Sequence, residues 1–271
     1  MSFYVANMQY YSEISDMLFT DQLNSAIELD EYPTRIVSLV PSQSELLWDL
    51  GLREELVGIT KFCIHPKELF NTVKRVGGTK TLHLDVIRDL QPDLIIGNKE
   101  ENEFSQITEL QKEFKVWMSD IYNLNDSMDM IRSIGKVVNR ESKANHIALD
   151  IEQSFLGLKQ VRKKALYLIW KPYMAAGRST FIGDMLHRIG LENVLDDPNG
   201  RYPDLSMDEI KNLNPEILLL SSEPFPFKEQ HMEELRGQLP YTKILLVDGE
   251  LFSWYGSRLK KSADYFNTLN F

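Results

Sequence analysis

Five histidines hold most of the acid, base or metal-binding potential of this chain, and they are scattered. His65, His83, His146, His187 and His231 stand in no metal-ligand spacing. The last three fall inside segments of helical periodicity, where surface or packing roles are the plain reading. His65 and His83 fall in loops that follow strands, the side of an α/β sheet on which ligands bind. The single cysteine, Cys63, excludes an internal disulfide and any CxxC motif. The nucleophile-elbow, zincin, Walker and dinucleotide signatures are absent, and Gly77-Gly78-Thr79-Lys80 lacks the Walker spacing and reads as a turn.

Aromatic placement says more. Phe62, Tyr173, Tyr202, Trp254 and Tyr255 fall in loops or at the first residues of a helix. Rings there suit a cleft that stacks on a large flat ligand, and equally suit a seal between two lobes. Arg258, one helical turn beyond Trp254, can add a charge-assisted contact to a carboxylate or phosphate, or lie on a helix surface. Asn98, Lys99, Glu100, Glu101 and Glu103 make a charged loop and helix start, ordinarily a solvated face whose acids favour the helix N-terminus.

These residues are positioned by a repeating strand-helix chain. RIVSLV (35–40) predicts a strand closed by Pro41, after which Ser42 can cap a helix ending at Gly51. LVGIT, PDLIIG and KVWMSD predict further strands, with helices from about Asp85, within NKEENEFSQITELQKEF and after a cap at Asp126. Before them, DQLNSAIELDEYP reads as a short hairpin or edge strand. The pattern then restarts: strand KKALYLIW, helix FIGDMLHRIG, helix DLSMDEIKNL, strand PEILLLSS, helix FKEQHMEELRG, strand KILLVDGE and a closing helix from Ser253.

The restart is a repeat. LDVIRDLQPDLII (84–96) matches MDEIKNLNPEILL (207–219) without a gap, LWDLGL (47–52) matches LHRIGL (186–191), and KVWMSD matches KILLVD. Three matches in one order predict a duplicated architecture of two α/β lobes. Between the copies, Ser142 to Lys164 places Ala144, Ile147, Ile151, Phe155 and Leu158 on one helical stripe, with Ser142 as N-cap and Arg162, Lys163 and Lys164 at the negative end of the dipole. A helix of that length reaches roughly 33 Å. The expected division is an N-terminal extension and lead-in strand (1–33), an N-terminal lobe (34–141), a linking helix (142–164) and a C-terminal lobe (165–271).

Composition fits a globular chain of 271 residues, 43% hydrophobic and 26% charged. A net charge of -10 argues against nucleic acid or an anionic membrane as partner. No stretch approaches the ~20 apolar residues of a membrane span, and the N-terminus shows neither a basic region nor an apolar run of the kind a secretory signal has.

The segments RIVSLVPSQSELLWDLGL, VGITKFCIHP, LDVIRDLQPDLIIGNKEEN, AAGRSTFIGDMLHRIGLENV and SWYGSRL resemble the substrate-binding proteins of ABC importers for cobalamin, haem and iron-siderophores, most closely the cobalamin-binding branch. The resemblance implies two α/β lobes joined by one long helix with little hinge flexibility. It implies a ligand cleft that holds His65, Asn98, Met174, Tyr202 and the Trp254 to Arg258 segment. It also implies acidic residues on the outer tip of each lobe, near Glu101 or Glu103 and at Asp208, which dock on arginines of the permease. Two positions depart from the cobalamin branch, which has an aromatic residue at Asn98 and a tyrosine at His65; a histidine there can be an axial ligand to cobalt or iron.

The expected function is a non-enzymatic, monomeric binding protein without an intrinsic cofactor, which takes cobalamin, haem or a ferric siderophore between its lobes and delivers it to an ABC permease. Family resemblance points to the periplasm. The absent signal keeps open a cytoplasmic corrinoid or tetrapyrrole handler of the same fold, and His65 or His83 keep open a cleft enzyme such as a metal chelatase.

Overall fold

The computed structural model describes residues 17–196 and 200–271. Strands β1 (Met17–Thr20) and β2 (Ala26–Leu29) form an antiparallel hairpin, of which only the turn and second strand fall in the segment 21–33 expected to be a hairpin or edge strand; residues 1–16 of the expected extension lie outside the described residues. The first repeat follows as β3 (Ile36–Ser38), α1 (Pro41–Asp49), β4 (Leu56–Ile59), α2 (Lys67–Thr72), β5 (Lys74–Arg75), α3 (Leu84–Leu90), β6 (Leu94–Asn98), α4 (Phe104–Leu110) and β7 (Val116–Ser119). Its sheet has the order β5-β4-β3-β6-β7, parallel throughout. Helices α5 (Leu124–Val137) and α6 (Glu141–Leu156) lead to the second repeat: β8 (Lys163–Trp170), β9 (Met174–Ala175), α7 (Phe181–Arg188), β10 (Leu191–Asn193), α8 (Met207–Leu213), β11 (Ile217–Ser221), α9 (Glu229–Arg236), β12 (Lys243–Val247), α10 (Glu250–Ser253) and α11 (Leu259–Thr268). Here β10-β8-β11-β12 run parallel, with β9 antiparallel on β8.

Strand order makes the duplication concrete, because β4-β3-β6-β7 and β10-β8-β11-β12 are the same path. The repeated sequences also repeat their local chemistry. Gly51 and Gly190 end equivalent helices at φ 92° and 77°, a backbone that glycine adopts without the Cβ penalty. Gln91 and Asn214 stop α3 and α8 at φ 44° and 45°. Two residues on, Asp93 accepts from the Arg35 N–H at the start of β3, and Glu216 accepts from the Lys164 N–H in β8. One carboxylate in each lobe thus pins β3 to β6 and β8 to β11.

Alternation along the strands gives each sheet two buried faces. Ile95 packs with Val37, Leu39 and Val116 on the outer face of the first lobe, and its equivalent Leu218 packs with Leu166, Leu220 and Ile244 on the outer face of the second. The opposite faces, carrying Ile36, Ile96 and Trp117 in one lobe and Ala165, Tyr167 and Leu219 in the other, belong to one continuous core shared with α5, α6, α7 and α11. A shared core, rather than a bare linker, joins the lobes.

Several helix ends differ from expectation. The linking helix covers 16 residues, roughly 24 Å, and ends at Leu156 instead of Lys164. Gly157 follows it, and the Val161 and Arg162 N–H groups bond the carbonyls of Ile189 and Gly190, which draws Lys163 and Lys164 into β8 beside β10. Those basic residues therefore do not serve the helix dipole. Ser142 is not the cap: Asn139 turns the chain at φ 55° and Arg140 takes the N-cap place without a side-chain bond. Ala148 replaces Ile147 as a fully buried stripe position. Pro41 starts α1 at its first position, so Ser42 lies inside the helix. Asn123, with Asp126 as its reciprocal partner, caps α5. The closing segment is two helices, since Trp254 leaves α10 extended and Gly256 turns at φ 100° before α11.

Candidate functional site

Both sheets point the C-terminal ends of their parallel strands at one cleft, the position at which open α/β sheets present loops to ligands. The first lobe supplies Val40, Pro41 and Ser42 after β3, Phe62 and Ile64 after β4, and Glu100 and Glu101 after β6. The second supplies Met174 on β9, Tyr202, Glu223 after β11 and Glu250, Ser253, Trp254 and Tyr255 after β12. They enclose a cavity of about 600 Å³, within the range of small-molecule sites.

Five of the expected residues meet there: Phe62, Met174, Tyr202, Trp254 and Tyr255. Phe62 is half exposed with the Lys61 ammonium 5.0 Å from its ring, so it stands at the mouth. Trp254 is buried. Its Nε1 donates to Glu223 Oε1 at 3.0 Å, the Arg258 guanidinium covers its face at 4.6 Å, and the His65 ring meets it edge-on at 5.7 Å. These contacts hold the indole in one orientation.

His65 and Arg258 line the adjoining space instead, which Glu223 and Glu250 border from both sides. His65 Nε2 lies 3.0 Å from Glu250. Arg258 is engaged internally: Nε and Nη2 form a fork on Glu45 at 2.7 and 3.1 Å, and Nη1 meets Glu250 at 2.9 Å. It reaches Trp254 although Trp254 to Ser257 is not helical, so the expected helical-turn spacing is not what joins them. The Arg258–Glu45 pair also ties the α11 start to α1 of the first lobe.

Asn98, at the end of β6, is buried behind the interlobe cavity lining. Its Oδ1 accepts from the N–H groups of Glu100 and Glu101, and its Nδ2 donates to Ser119 Oγ at 2.9 Å. It shapes the loop that carries the two acids. Tyr173 packs at the margin of the outer core of the second lobe. Glu101 lies in the cleft wall, not on an outer tip, because that Asn98 turn folds the loop inward. Glu103 and Asp208 are exposed at the starts of α4 and α8. His83 is exposed at the start of α3, and the Gly77–Leu82 stretch is the turn expected of it. Among the described residues no group of three or more His, Cys, Asp or Glu side chains is arranged to hold a metal ion.

Glu223 and Glu250 were not singled out from sequence. A signal was available: extending the matched repeat by four residues sets Glu223 on Glu100, so equivalent strands place acids on opposite walls. Burial raises the Glu223 carboxyl to about 7, with Glu250 and Glu101 of like sign adding to it and hydrogen bonds from Ser253 and Trp254 opposing it. Burial likewise pushes Glu101 up, with Glu100 adding. The Tyr202 and Tyr255 phenols are pushed well up, mainly by burial.

The sequence matches the model of the family described as "Periplasmic binding protein" over residues 36–238. This chain belongs to the periplasmic binding protein family. An uncharacterized ABC transporter substrate-binding lipoprotein of Bacillus subtilis is 24% identical over 93% of this chain and 85% of its own length. A vitamin B12-binding protein of Vibrio parahaemolyticus is 27% identical over 75% of each chain. Among solved structures, a periplasmic heme binding protein from Pseudomonas aeruginosa superposes with a TM-score of 0.74 at 21% identity, covering 87% of this chain and 91% of its own, which shows the shared two-lobe fold. The family and these relatives are binding proteins, not enzymes. Among the described residues no helix is long and apolar enough to cross a membrane.

Proposed function

We propose that this chain binds a metal chelate in the cavity between its lobes, residues 34–141 and 165–271 with the linking helix between them, and delivers it to an ABC permease from the outer side of the cytoplasmic membrane. The observation that carries the reading is a cavity of about 600 Å³ at the strand C-termini of both lobes, walled by Met174, Tyr202, Trp254 and Tyr255. Such walls suit a large ligand with flat apolar surface. A corrinoid is the first candidate, since a sequence relative at 27% identity is a vitamin B12-binding protein; haem and ferric siderophores are the others. His65, in the adjoining space beside Trp254, is a candidate axial ligand for the metal of a chelate that extends past the cavity lining.

Docking needs an exposed contact on each lobe. The repeat makes Asp85 the equivalent of Asp208, and both are exposed acids in the first turn of equivalent helices, α3 and α8. We therefore assign the permease contact to Asp85 and Asp208, with Glu103 as a neighbouring candidate. Titration of the purified chain with cobalamins, haemin and ferric siderophores, followed by tryptophan fluorescence, tests the ligand assignment; no response to any of them would refute it.

A further inference from the structure

The lining of the interlobe cavity contains Glu100, Glu101, Glu223 and Glu250 and, among the described residues, no Lys, Arg or His. Residues 1–16 and 197–199 contain none either. Two of these acids are offset. Glu100 pairs with Arg201 at 3.1 Å, and Glu250 is shared by Arg258 at 2.9 Å and His65 at 3.0 Å.

Glu101 and Glu223 stand differently. Of the charges acting on Glu101, Glu100 of its own sign outweighs the Lys80 ammonium. Glu223 has Oε1 occupied by Ser253 and Trp254, and the charges that act on it most are Glu250 and Glu101, both negative. These two carboxyls come from opposite lobes and each feels burial first. Partly buried acids that face more negative than positive charge are costly unless something else satisfies them. An entering anion would deepen that cost. A cation, or a neutral ligand fringed with N–H groups, would relieve it.

We infer that the ligand of this cavity is a neutral or cationic chelate offering hydrogen-bond donors, and that chelates fringed with carboxylates or catecholates are refused. The inference rests on the reading of the cavity as the chelate site. It selects between ligand classes that the fold alone leaves equal.

Matched probes on the full chain test it. Aquocyanocobinamide, a monocation fringed with amides, is compared with cobyrinic acid, which carries carboxylates on the same ring; ferric desferrioxamine B, a monocation, is compared with a trianionic ferric tris-catecholate. Binding is read by calorimetry and by quenching of tryptophan fluorescence. In each pair of which a member binds, the cationic member should bind about tenfold or more tighter than its anionic partner, the ratio that one unfavourable charge contact of modest strength produces. In the Glu101→Gln, Glu223→Gln double variant, which keeps both side-chain shapes, that ratio should shrink through a gain for the anion. An anionic probe that binds as tightly as its partner, or a ratio untouched by the double variant, overturns the charge preference while leaving the cavity as the chelate site. Failure of every probe to bind overturns the site assignment and this inference with it.

Discussion

Glu223→Gln should stabilise the protein, and only above the ordinary carboxyl range. Burial, reinforced by Glu250 and Glu101, raises this carboxyl from 4.5 to about 7 against the hydrogen bonds from Ser253 and Trp254. A raised value means that the folded chain holds the proton more tightly than the unfolded chain. The contribution of Glu223 to stability is therefore greatest below pH 4.5, declines as pH rises towards about 7, and stays at its lower level beyond. At about 1.4 kcal/mol per tenfold in proton affinity, the full difference corresponds to about 3 kcal/mol. Partial contact with water makes that a ceiling. The glutamine amide oxygen can still accept from Ser253 Oγ and Trp254 Nε1, so the substitution removes charge and little else. Urea denaturation should show the variant more stable than the parent by about 1–3 kcal/mol near pH 8, with the two converging to within about 0.5 kcal/mol near pH 4. Equal differences at both pH values, or a less stable variant near pH 8, would refute the burial argument.

Removing Arg258 has the opposite sign. Arg258→Met leaves Glu45, whose side chain is 5% exposed, with Lys261 alone, and should cost about 3–5 kcal/mol in urea denaturation, part of it restored in Arg258→Met, Glu45→Gln. A loss under about 1 kcal/mol would show that the pair is dispensable. Gly135→Ala puts a methyl 2.2 Å from the Ala144 Cβ and forces α5 from α6, so it should lower stability by about 1–3 kcal/mol in spite of the better helix propensity; an unchanged thermal midpoint would contradict that packing. Trp254→Ala should weaken chelate binding by at least about 1 kcal/mol in calorimetry, since it removes a ring held between Glu223, Arg258 and His65. Reversing both docking acids, Asp85→Lys with Asp208→Lys, should slow permease-dependent uptake about tenfold or more with the ligand Kd unchanged; normal uptake would remove them from the contact.

Local rules carried the reading of the repeat. Glycine after a helix, proline before a strand and a matched acid beyond it are short-range signals, and Gly51 with Gly190, Gln91 with Asn214 and Asp93 with Glu216 play the same parts in both lobes. Helix ends were less legible. Ser42, Asp126 and Ser142 all have cap chemistry, yet Pro41, Asn123 and the Asn139 turn decide the starts, because a cap is chosen by where the preceding chain turns. Of the five loop aromatics, Phe62, Tyr202, Trp254 and Tyr255 line the cavity and Tyr173 packs against the outer core. The resemblance puts Asn98 and Arg258 in the ligand cleft, but both are spent inside the protein, one on its own loop and one on Glu45.

By itself, then, the sequence determined the two-lobe α/β architecture and its duplication, which follow from periodicity and spacing within a few dozen residues, while the family came from the resemblance of whole segments. Only the tertiary structure decided which charges face the cavity. Glu101 and Glu223 are 122 residues apart by number and look like surface acids in the chain; they line one cleft because two sheets turn the same strand ends towards each other across a continuous core. Whether a carboxylate is paired, solvated or left without a cation is a property of that arrangement, and no local pattern encodes it.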